Sequence, residues 1–512
     1  MENPVENPVD APFTLVVGLG ETGLASVQWC VRTGCRLRVV DTRSSPAGLD
    51  DLRALATDAE FLLGAEALVA DVSEPMFDTA LLEGVARMVL SPGLSPDLAP
   101  VRDLVMAARE RGVPVIGEIE LFAQALASLK ASQGYSPRVL AVTGTNGKTT
   151  VTALTGRLVE AAGKSVAVAG NISPAALTAL MAALDSEKLP EVWVLELSSF
   201  QLVTTSTLTP DAAVVLNLTQ DHLDWHGDMK SYAAAKARLL KTSAVSIVNR
   251  DDAAVVAMVE RLDAESVRSF GRELPSWAGD MGMDHSHGVA WLVEAAWGDF
   301  DAEPIKRKKG EPALRIAGRP NRLMPVDALR IRGVHNALNV QAALLLARSI
   351  GLPLVAMLHS VRDYRGEPHR VEFLRTIAGV DFIDDSKGTN VGATVAALEG
   401  LGQRSVLIVG GVGKGQDFSP LARAVALHAR AVVLIGRDAP VIEASIAGTG
   451  VPSMTCETLE AAVATALEQA EPGDAVLLSP ACASFDMFRD YKHRADVFAD
   501  AVQSLALDRG EV

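Results

Sequence analysis

The sequence is poor in cysteine. Four cysteines occur among 512 residues, and none forms a Cys-x-x-Cys pair. So few and so scattered thiols exclude the disulfide framework of a small secreted domain, and a reduced, cytosolic setting is expected.

The chain also lacks a basic stripe, a targeting segment and a long apolar run. Lys+Arg number 47 against 63 Asp+Glu, giving a net charge of −16, which argues against nucleic acid or an anionic membrane as the main partner. Met1–Asp10 is acidic and broken by proline, unlike a signal peptide, and we interpret it as a frayed tail. The most apolar stretch, Leu344–Leu358, contains Arg348 and Pro353 and is too short to cross a bilayer. We therefore expect a soluble protein.

What the chain does contain is a repeated alternation of apolar strands and helices. Hydrophobic residues make up 49% and charged residues 21%, as in ordinary globular proteins, and the length predicts about three domains. Strands are predicted at 13–17, 36–40, 139–142, 165–169, 380–383, 405–409, 431–435 and 475–478. Helices are predicted at 24–32, 149–162 and 394–401. This order indicates parallel α/β sheets, whose functional loops follow the strands.

Residues 112–118, a short strand and a glycine after a helix, and the polar Gly/Pro-containing stretch 363–368 predict domain boundaries near Gly117 and Gly366. Residues 277–320 are irregular, and we expect an antiparallel or loop-rich elaboration there. Its basic run Lys306–Lys309 is predicted to be a solvated surface loop. His285 and His287 lie in the same stretch without further ligands nearby in sequence, so no metal site is predicted from them.

The first motif with chemical meaning is Gly18-Leu19-Gly20-Glu21-Thr22-Gly23, between a predicted strand and a predicted helix. Glycines at this spacing let backbone N–H groups approach an anion, and Asp41 ends the next strand where a ribose-binding carboxylate belongs. Alone, the motif is typical of an NAD-dependent oxidoreductase. Any nucleotide diphosphate fits the same turn, and so does a glycine turn required only for helix–strand packing.

The second motif, at 143–150, reads Thr-Gly-Thr-Asn-Gly-Lys-Thr-Thr and again joins a strand to a helix. Its amides and Lys148 would hold the β- and γ-phosphates of a nucleotide, and the Thr149 hydroxyl would ligate Mg²⁺. The motif departs from the standard phosphate-binding loop because Val142 occupies the position of the first glycine.

Polar partners for such a loop follow the next strands. Glu196 ends the apolar run 192–195, where a carboxylate is well placed for Mg²⁺. His222 follows the apolar stretch 212–216, and is either a capping or core histidine or a site residue. The pattern around Lys236 by itself favours a solvent-facing helical lysine.

Three more strand ends in the last third are polar or glycine-rich: 384–390, 410–415 and 479–486. With Lys387 and Lys414 they predict a pocket rim suited to a small dianionic substrate. Cys482 lies in the last of them without an evident paired histidine, so we expect a small packed residue and not a nucleophile.

Taken together, these motifs resemble those of the bacterial Mur ligases, in order and across nearly the whole chain. The resemblance rests on 143–150, Gly170-Asn171-Ile172, Glu-Leu-Ser-Ser-Phe-Gln-Leu at 196–202, Asp221-His222 with Lys236, His335-Asn336-Ala337-Leu338-Asn339, His369-Arg370, Asp-Ser-Lys-Gly-Thr-Asn at 385–390 and Ser-Pro-Ala-Cys-Ala-Ser-Phe-Asp at 479–486. The first glycine turn and the final Ser-Pro-Ala-Cys-Ala-Ser are similar to those of the D-glutamate-adding members.

The resemblance implies an α/β fold with three domains. A Rossmann-like N-terminal domain (1–117) would bind the UDP-linked substrate, a central P-loop ATPase domain (118–366) would bind ATP, and a Rossmann-like C-terminal domain (367–512) would bind the incoming amino acid. The implied activity is cytoplasmic and ATP-dependent: D-glutamate is joined to UDP-N-acetylmuramoyl-L-alanine through an acyl phosphate, in peptidoglycan precursor synthesis. ATP and two Mg²⁺ ions are implied, and we expect a monomer with no nucleic-acid or membrane partner.

The same resemblance assigns roles to individual residues. Lys148, Glu196, His222 and Lys236 would be catalytic, with Thr149, Glu196, His222 and Lys236, as a carbamate, holding the metal ions. ATP would be bound by Gly144, Asn146, Gly147, Lys148, Thr149, Thr150, Asn336, Asn339, Arg370 and Asp385. The UDP moiety would contact Thr22, Asp41, Thr42 and Arg43, the muramoyl-alanine part Asn171, Ser198 and Gln201, and D-glutamate Lys387, Thr389, Lys414, Ser484, Phe485 and Tyr491.

Three alternatives stay open at this point. An NAD-dependent dehydrogenase would explain the first glycine turn but leave the phosphate loop without a role. A regulatory P-loop NTPase or binding module would explain nucleotide binding alone. Another Mur ligase, or a ligase similar to folylpolyglutamate synthase, would add a different amino acid, although the Asp-Asn-Pro-Arg motif associated with the diamino-acid-adding member is absent.

Overall fold

Three helix-covered sheets follow one another along the chain. The computed structural model describes residues 12–70, 72–260, 262–297 and 315–511. The predicted frayed tail Met1–Asp10 and the predicted surface loop Lys306–Lys309 lie outside the described residues.

The first sheet is parallel, with strand order β3-β2-β1-β4-β5. Its strands are β1 (Phe13–Val17), β2 (Arg36–Asp41), β3 (Glu60–Leu63), β4 (Val85–Leu90) and β5 (Val115–Ile116). Its helices are α1 (Glu21–Arg32), α2 (Leu49–Leu55) and α3 (Arg102–Glu110), with short 3₁₀ turns at Gly64–Ala67 and Thr79–Leu82. The turn from β1 into α1 carries the first glycine motif, so this motif lies at the carboxyl edge of the sheet, as predicted for a ligand-binding turn.

The second sheet is also parallel, in the order β11-β10-β9-β6-β8-β7. Its strands are β6 (Arg138–Thr143), β7 (Val166–Gly170), β8 (Val192–Glu196), β9 (Ala212–Val215), β10 (Val245–Asn249) and β11 (Val267–Phe270). The helices around it are α4 (Glu118–Gln133), α5 (Lys148–Ala161), α6 (Ala176–Asp185), α7 (Ser199–Val203), α8 (Leu223–His226), α9 (Met229–Thr242) and α10 (Ala253–Ala257), with a 3₁₀ turn at Ala264–Ser266. The inner strands are mostly apolar because helices cover both faces of the sheet, and Glu196 ends one of them.

A three-stranded antiparallel sheet follows, formed by β12 (Met281–Ser286), β13 (Val289–Ala296) and β14 (Arg319–Pro325). Strands β12 and β13 lie inside the range 277–320, where an antiparallel or loop-rich elaboration was predicted, and β14 begins in that range and ends at Pro325. A 3₁₀ turn at Val326–Ala328 leads to α11 (Val334–Ser349) and α12 (Leu354–Asp363). The buried side chains of α11 pack with α5 and the second sheet in one apolar cluster.

The last sheet has the order β15-β16-β20-β17-β18-β19, and only its edge strand β15 is antiparallel. Its strands are β15 (Glu372–Ile377), β16 (Val380–Asp384), β17 (Ser405–Gly410), β18 (Ala429–Ile435), β19 (Ser453–Thr455) and β20 (Ala475–Leu478). Its helices are α13 (Val391–Gly400), α14 (Ser419–His428), α15 (Ala439–Ile446), α16 (Leu459–Gln469) and α17 (Tyr491–Asp508), with a 3₁₀ turn at Ala447–Thr449.

The predicted α/β fold class is therefore confirmed, and each predicted strand and helix overlaps an observed one. The boundaries near Gly117 and Gly366 stay predictions, although each of the two residues lies between one sheet and the next. Among the described residues, no helix is both long enough and apolar enough to cross a bilayer.

Candidate nucleotide and ligase site

The loop between β6 and α5 is shaped by two glycines in positive φ. Gly144 has a φ of +154° and Gly147 a φ of +84°. A Cβ on Gly147 would lie 2.6 Å from Asn339 Oδ1, so only glycine fits there without displacement. Helix α5 begins at Lys148, and its first N–H groups therefore face the loop, where an anion is favoured. The loop has the geometry predicted for a phosphate-binding loop.

The Lys148 side chain folds over this loop. Its Nζ donates hydrogen bonds to the carbonyl oxygens of Gly144 and Thr145 at 3.0 and 2.8 Å. Burial lowers the pKa of Lys148, and the Glu196 carboxylate opposes that shift. The ammonium group is thus held at the mouth of the loop by uncharged carbonyl groups.

Glu196 ends β8, which pairs with β6 and brings Glu196 opposite Val142. The side chain is only 2% exposed. Its Oε1 accepts a hydrogen bond from Asn171 Nδ2 at 2.9 Å, whereas its Oε2 is buried without a hydrogen-bond partner in the described parts of the chain. A buried carboxylate oxygen without a partner is costly unless a cation or donor satisfies it.

Lys236 lies on α9 and is 1% exposed, so the prediction of a solvent-facing lysine, made from its local pattern, is wrong. Its Nζ donates to the Gly144 carbonyl at 2.9 Å and lies 4.5 Å from the centroid of the Tyr232 ring. Burial, and next the nearby Lys148 charge, lower the pKa of Lys236 well below its ordinary value. Helix α9 thereby brings a second amine to the phosphate loop.

His222 stands at the start of α8 with a φ of +56°. Its Nε2 lies 3.5 Å from Asp221 Oδ2, and its ring contacts Phe200 edge-on at a centroid distance of 4.7 Å. Its side chain is about a third exposed, so it is not a core histidine. Burial lowers the pKa of His222, which leaves a neutral imidazole able to act as a ligand.

Two cations from the last part of the chain reach the phosphate loop. Arg370 Nη2 donates to Thr149 Oγ1 at 2.7 Å, and Lys387 Nζ lies 3.4 Å from the same oxygen. Burial, reinforced by the Arg370 charge, lowers the pKa of Lys387 to about 8. Lys387 Nζ also lies 5.4 Å from the centroid of the Tyr491 ring, so one cluster joins Thr149, a predicted ATP and metal residue, to two predicted D-glutamate residues.

Asp385 follows β16 and is buried beside this cluster. Its Oδ2 accepts a hydrogen bond from Ser479 Oγ at 2.6 Å, and burial raises its pKa to about 7. A Cβ on Gly388 would lie 2.5 Å from the same Oδ2, which explains why a glycine stands in that turn.

An amide pair that sequence reasoning missed joins the phosphate loop to α13. Asn146 Nδ2 donates to Asn390 Oδ1 at 3.2 Å, and Asn390 Nδ2 donates to Asn146 Oδ1 at 2.9 Å. Asn390 is also the N-cap of α13, since its Oδ1 accepts from the Ala393 N–H at 2.9 Å. The Asn before an apolar helix signals a cap, but nothing in the sequence indicates its partner.

A cavity of about 300 Å³ opens between the phosphate loop, α11 and α13. The predicted residues that line it are Asn146, Gly147, Thr150, Asn336, Asn339, Arg370, Asp385 and Lys387. Among the other lining residues, sequence reasoning assigned no role to Asn249, Phe270, Arg272 and His335. Asn249 ends β10 and Phe270 ends the neighbouring parallel strand β11. This position at the end of a strand was the signal from which the two residues could have been found.

At the first glycine turn, Asp41 is 3% exposed and organises the surrounding loop. Its carboxylate accepts hydrogen bonds from the Leu19 N–H at 2.7 Å and from the Arg43 N–H, Nε and Nη2 at 2.7–2.8 Å. Burial would raise the pKa of Asp41, but these bonds, led by the Arg43 side chain, lower it. Thr42 and Arg43 are exposed beside it and Thr22 is half-buried in α1, so the predicted UDP residues surround one turn.

The remaining predicted substrate residues occupy two places. Ser198 and Gln201 form a capping box at the start of α7, directly after Glu196. Thr389, Lys414 and Ser484 lie at the carboxyl edge of the last sheet, where Val412 and Ala483 form an isolated antiparallel bridge. Phe485 beside them is 73% exposed. Cys482 is fully buried, which confirms the prediction of a packed residue.

A phosphate loop facing a buried carboxylate, an amine and two cations from another sheet defines an enzyme that handles nucleotide phosphates. Three family models cover most of the chain: the N-terminal domain of MurD-like Mur ligases matches residues 13–117, the Mur ligase middle domain 142–347, and the glutamate ligase domain of Mur ligases 369–482. The chain belongs to the Mur ligase family.

Close relatives carry the name UDP-N-acetylmuramoylalanine--D-glutamate ligase. The protein of that name from Bordetella parapertussis is 62% identical over 505 residues, covering 98% of each chain. The one from Ralstonia nicotianae is 59% identical over 503 residues, again covering 98% of each. Identity at this level along the full length places the chain among the D-glutamate-adding members of the family.

Solved structures with much lower identity share the fold. The UDP-N-acetylmuramate-alanine ligase MurC from Thermotoga maritima superposes with a TM-score of 0.52 at 19% identity, covering 96% of this chain and 99% of its own. The MurF ligase from the same organism, solved in complex with ADP, has a TM-score of 0.54 at 16% identity, covering 98% and 100%.

Proposed function

We propose that this protein is an ATP-dependent, ADP-forming ligase that joins D-glutamate to UDP-N-acetylmuramoyl-L-alanine in the synthesis of a peptidoglycan precursor. The observation that carries the proposal is the meeting of three groups at one loop: Lys148 of the phosphate loop, the buried Glu196 carboxylate, and Arg370 from the last part of the chain. Family membership supplies the reaction class, and the cluster supplies the groups that the reaction needs.

The residues around Glu196 fit Mg²⁺. Glu196 Oε2 is a buried carboxylate oxygen without a protein partner, and oxygen is the ligand type that Mg²⁺ prefers. Thr149, Glu196, His222 and a carbamylated Lys236 are the proposed ligands, at two metal sites. Bound Mg²⁺ would neutralise charge on the transferring phosphoryl group.

Lys236 has the environment that carbamylation requires. Only an uncharged amine attacks CO₂, and burial with the Lys148 charge nearby disfavours the ammonium form of Lys236. The product is a carbamate, which carries a negative charge next to Lys148 and the phosphate loop. The reaction releases a proton and converts an uncharged amine beside the Lys148 cation into an anion that attracts it.

In the proposed mechanism the alanyl carboxylate attacks the γ-phosphorus of ATP, forming an acyl phosphate and releasing ADP. Lys148 exchanges its contacts with the Gly144 and Thr145 carbonyls for phosphate oxygens, and Arg370 and Lys387 are within reach of the same region. The amine of D-glutamate then attacks the acyl carbon and displaces inorganic phosphate, leaving an amide.

The cavity beside the loop is proposed to hold the ATP base and ribose. It offers an apolar wall from Phe270, Ile331 and Leu338 and the polar side chains of Asn249, Asn336 and Asn339, a mixture typical of a site for a small planar ligand. Asp385 and Arg370 also line the cavity, and burial raises the pKa of Asp385 to about 7.

The N-terminal and C-terminal domains are proposed to bind the two substrates that the enzyme joins. UDP would lie at the Gly18–Gly23 turn with Thr22, Thr42 and Arg43, while Asn171, Ser198 and Gln201 would face the muramoyl-alanine part. D-Glutamate would be held by Lys387, Thr389, Lys414, Ser484, Phe485 and Tyr491. The proposed limits of the three domains are 1–117, 118–366 and 367–512, and the protein is proposed to act as a cytoplasmic monomer.

The test is release of phosphate from ATP by the purified protein. Release that requires both UDP-N-acetylmuramoyl-L-alanine and D-glutamate supports the proposal, and a panel of other amino acids identifies the one added. Phosphate release that needs neither substrate would overturn it. The dehydrogenase alternative is not favoured, because residues 13–117 match the MurD-like domain.

A further inference from the structure

Helix α1 ends in a turn that places two cysteines side by side. The Gly34 N–H donates to the Val31 carbonyl at 3.0 Å and the Cys35 N–H to the Cys30 carbonyl at 2.9 Å, with Gly34 at a φ of +71°. These two bonds define a Schellman motif, in which the residues at the positions of Cys30 and Cys35 commonly touch through their side chains. This helix end therefore places the Cys30 thiol beside the Cys35 sulfur, where each thiol shifts the pKa of the other.

The guanidinium group of Arg87, on β4 of the first sheet, faces this pair. Arg87 Nη2 lies 3.0 Å from Cys35 Sγ, and Arg87 Nε donates to Thr14 Oγ1 at 3.0 Å. Within the described ranges, no carboxylate forms an ion pair with Arg87. The contact between the two cysteines is expected from the helix end alone, but a cation directed at the sulfur is not.

The two thiols differ in charge and access. The adjacent Cys30 thiol, with the Thr33 hydroxyl and Arg87 next to the sulfur, lowers the pKa of Cys35 to about 5. The adjacent Cys35, and next burial, raise the pKa of Cys30. Cys35 is partly exposed while Cys30 is fully buried. A reactive cysteine in proteins is typically an accessible thiolate beside a cation.

We propose that Cys30 and Cys35 form a redox-active dithiol that reacts with hydroperoxides, with Cys35 as the attacking thiolate and Cys30 as the resolving thiol. The Cys35 sulfur attacks the O–O bond, forms an S–O bond, and releases an alkoxide or hydroxide that takes a proton from water. The Cys30 sulfur then attacks the Cys35 sulfenic acid, the S–S bond forms, and the hydroxyl group leaves with the Cys30 proton as water. The peroxide gains the two electrons that the two thiols lose.

This disulfide would join the last turn of α1 to the residue immediately before β2. The opposite ends of the same two elements carry the Gly18–Gly23 turn and Asp41, so the modified site belongs to the proposed UDP-binding unit but not to the phosphate loop. The inference does not rest on the proposed ligase activity, because its test follows the chemistry of the two sulfurs and not turnover.

The first experiment measures alkylation of the reduced, full-length protein by iodoacetamide at about pH 6, with peptide mass spectrometry. Cys456 is the internal control, because it is also partly exposed but lies against a hydroxyl, with its Sγ 3.6 Å from Thr465 Oγ1. We expect Cys35 to react at least ~10-fold faster than Cys456, because only the thiolate is nucleophilic. Equal rates at this pH would overturn the proposal.

Substitution of the cation tests its role. Arg87→Met is expected to slow alkylation of Cys35, whereas Arg87→Lys, which keeps the charge, is expected to retain most of the rate. An unchanged rate in Arg87→Met protein that has a wild-type circular dichroism spectrum would overturn the assignment of Arg87. The wild-type comparison with Cys456 stands even where a variant fails to fold.

The second experiment treats the protein with one equivalent of hydrogen peroxide. We expect the peptide that contains both cysteines to lose about 2 Da, the mass of the two hydrogens removed by disulfide formation, and dithiothreitol to restore it. Cys30→Ser protein should instead trap a Cys35 sulfenic acid as its dimedone adduct, and Cys456→Ser protein should behave as wild type. Two free thiols, or a Cys35 sulfinic acid without the disulfide, would overturn the proposal.

Discussion

Arg370, just before β15, and Thr149, in α5, are 221 residues apart in the sequence, yet Arg370 Nη2 donates a 2.7 Å hydrogen bond to Thr149 Oγ1. Thr149 lies in the first turn of α5, where its hydroxyl is the proposed Mg²⁺ ligand. If Thr149 Oγ1 binds Mg²⁺ as proposed, its hydrogen bond from Arg370 would link the position of the last sheet to the occupancy of the nucleotide site.

Replacing Thr149 with Val removes the hydroxyl and keeps the shape of the side chain. We expect kcat for phosphate release to fall at least ~10²-fold, since one electrostatic contact to a transferring phosphoryl group typically contributes that much. Thr149→Ser keeps the oxygen and is expected to stay within ~10-fold of wild type. The rate is measured against Mg²⁺ concentration, and a Val variant as active as the Ser variant would contradict the role of the hydroxyl.

Lys236 is expected to be carbamylated in the folded protein. Burial beside Lys148 favours its uncharged amine, which is the form that reacts with CO₂. Protein equilibrated with ¹³C-bicarbonate should show a carbamate carbon signal by NMR, and Lys236→Ala protein should lack it. Lys241 on the same helix lies on an exposed position, so Lys241→Ala is the matched control and should keep the signal.

Gly147 is expected to tolerate no side chain. Its φ is +84°, and an added Cβ would meet Asn339 Oδ1 at 2.6 Å. Gly163 has a nearly equal φ of +80° but open space around the same position. Gly147→Ala should raise KM for ATP at least ~10-fold by displacing the loop, whereas Gly163→Ala should cost about 1 kcal/mol of stability and leave KM unchanged. Equal KM values in the two variants would show that the contact with Asn339 is unimportant.

Glu118 is expected to make stability depend on pH. It is 2% exposed, its Oε1 accepts from the Leu177 N–H at 2.6 Å, and burial raises its pKa to about 7. The folded protein therefore holds this proton more tightly than the unfolded chain does. The carboxyl group contributes most stability below its ordinary pKa of 4.5, and the contribution is lost as the pH rises through about 7.

Glu118→Gln removes the titrating group while keeping an acceptor for Leu177. The midpoint of urea unfolding should fall less between about pH 5 and pH 8 in this variant than in wild type. Glu120 provides the contrast: although burial acts to raise its pKa, hydrogen bonds, first from Thr207, lower it overall. Glu120→Gln should therefore not reduce the loss of stability over the same pH range. A wild-type pH dependence in the Glu118→Gln protein would contradict the prediction.

Local signals explain why so much of the fold was predictable. Buried parallel strands such as β8 and β17 are short, uninterrupted apolar runs, and each is followed by glycine or polar residues that mark a strand end. The phosphate loop is equally local, because its two strained glycines and Lys148 lie within five consecutive residues. The order of motifs then indicated a family.

Contacts between distant segments were not predictable in the same way. The burial of Lys236 depends on how α9 packs against Gly144, and its local surroundings of small residues suggested the opposite. Asn249 and Phe270 reach the nucleotide cavity because β10 and β11 are neighbours in the second sheet. Neither residue belongs to a motif, and although each ends a strand, only the tertiary arrangement shows that the two strand ends line the cavity.

The two contacts that join α13 and Arg370 to the phosphate loop differ in their response to ionic strength. The reciprocal amide pair of Asn146 and Asn390 carries no net charge, so dissolved ions leave it almost unaffected. The approach of Arg370 and Lys387 to Thr149 places two positive charges near one another, and counterions screen their mutual repulsion. Moderate salt should therefore favour the contact of Arg370 and Lys387 with the phosphate loop, provided that the salt ions do not disturb binding of the nucleotide phosphates.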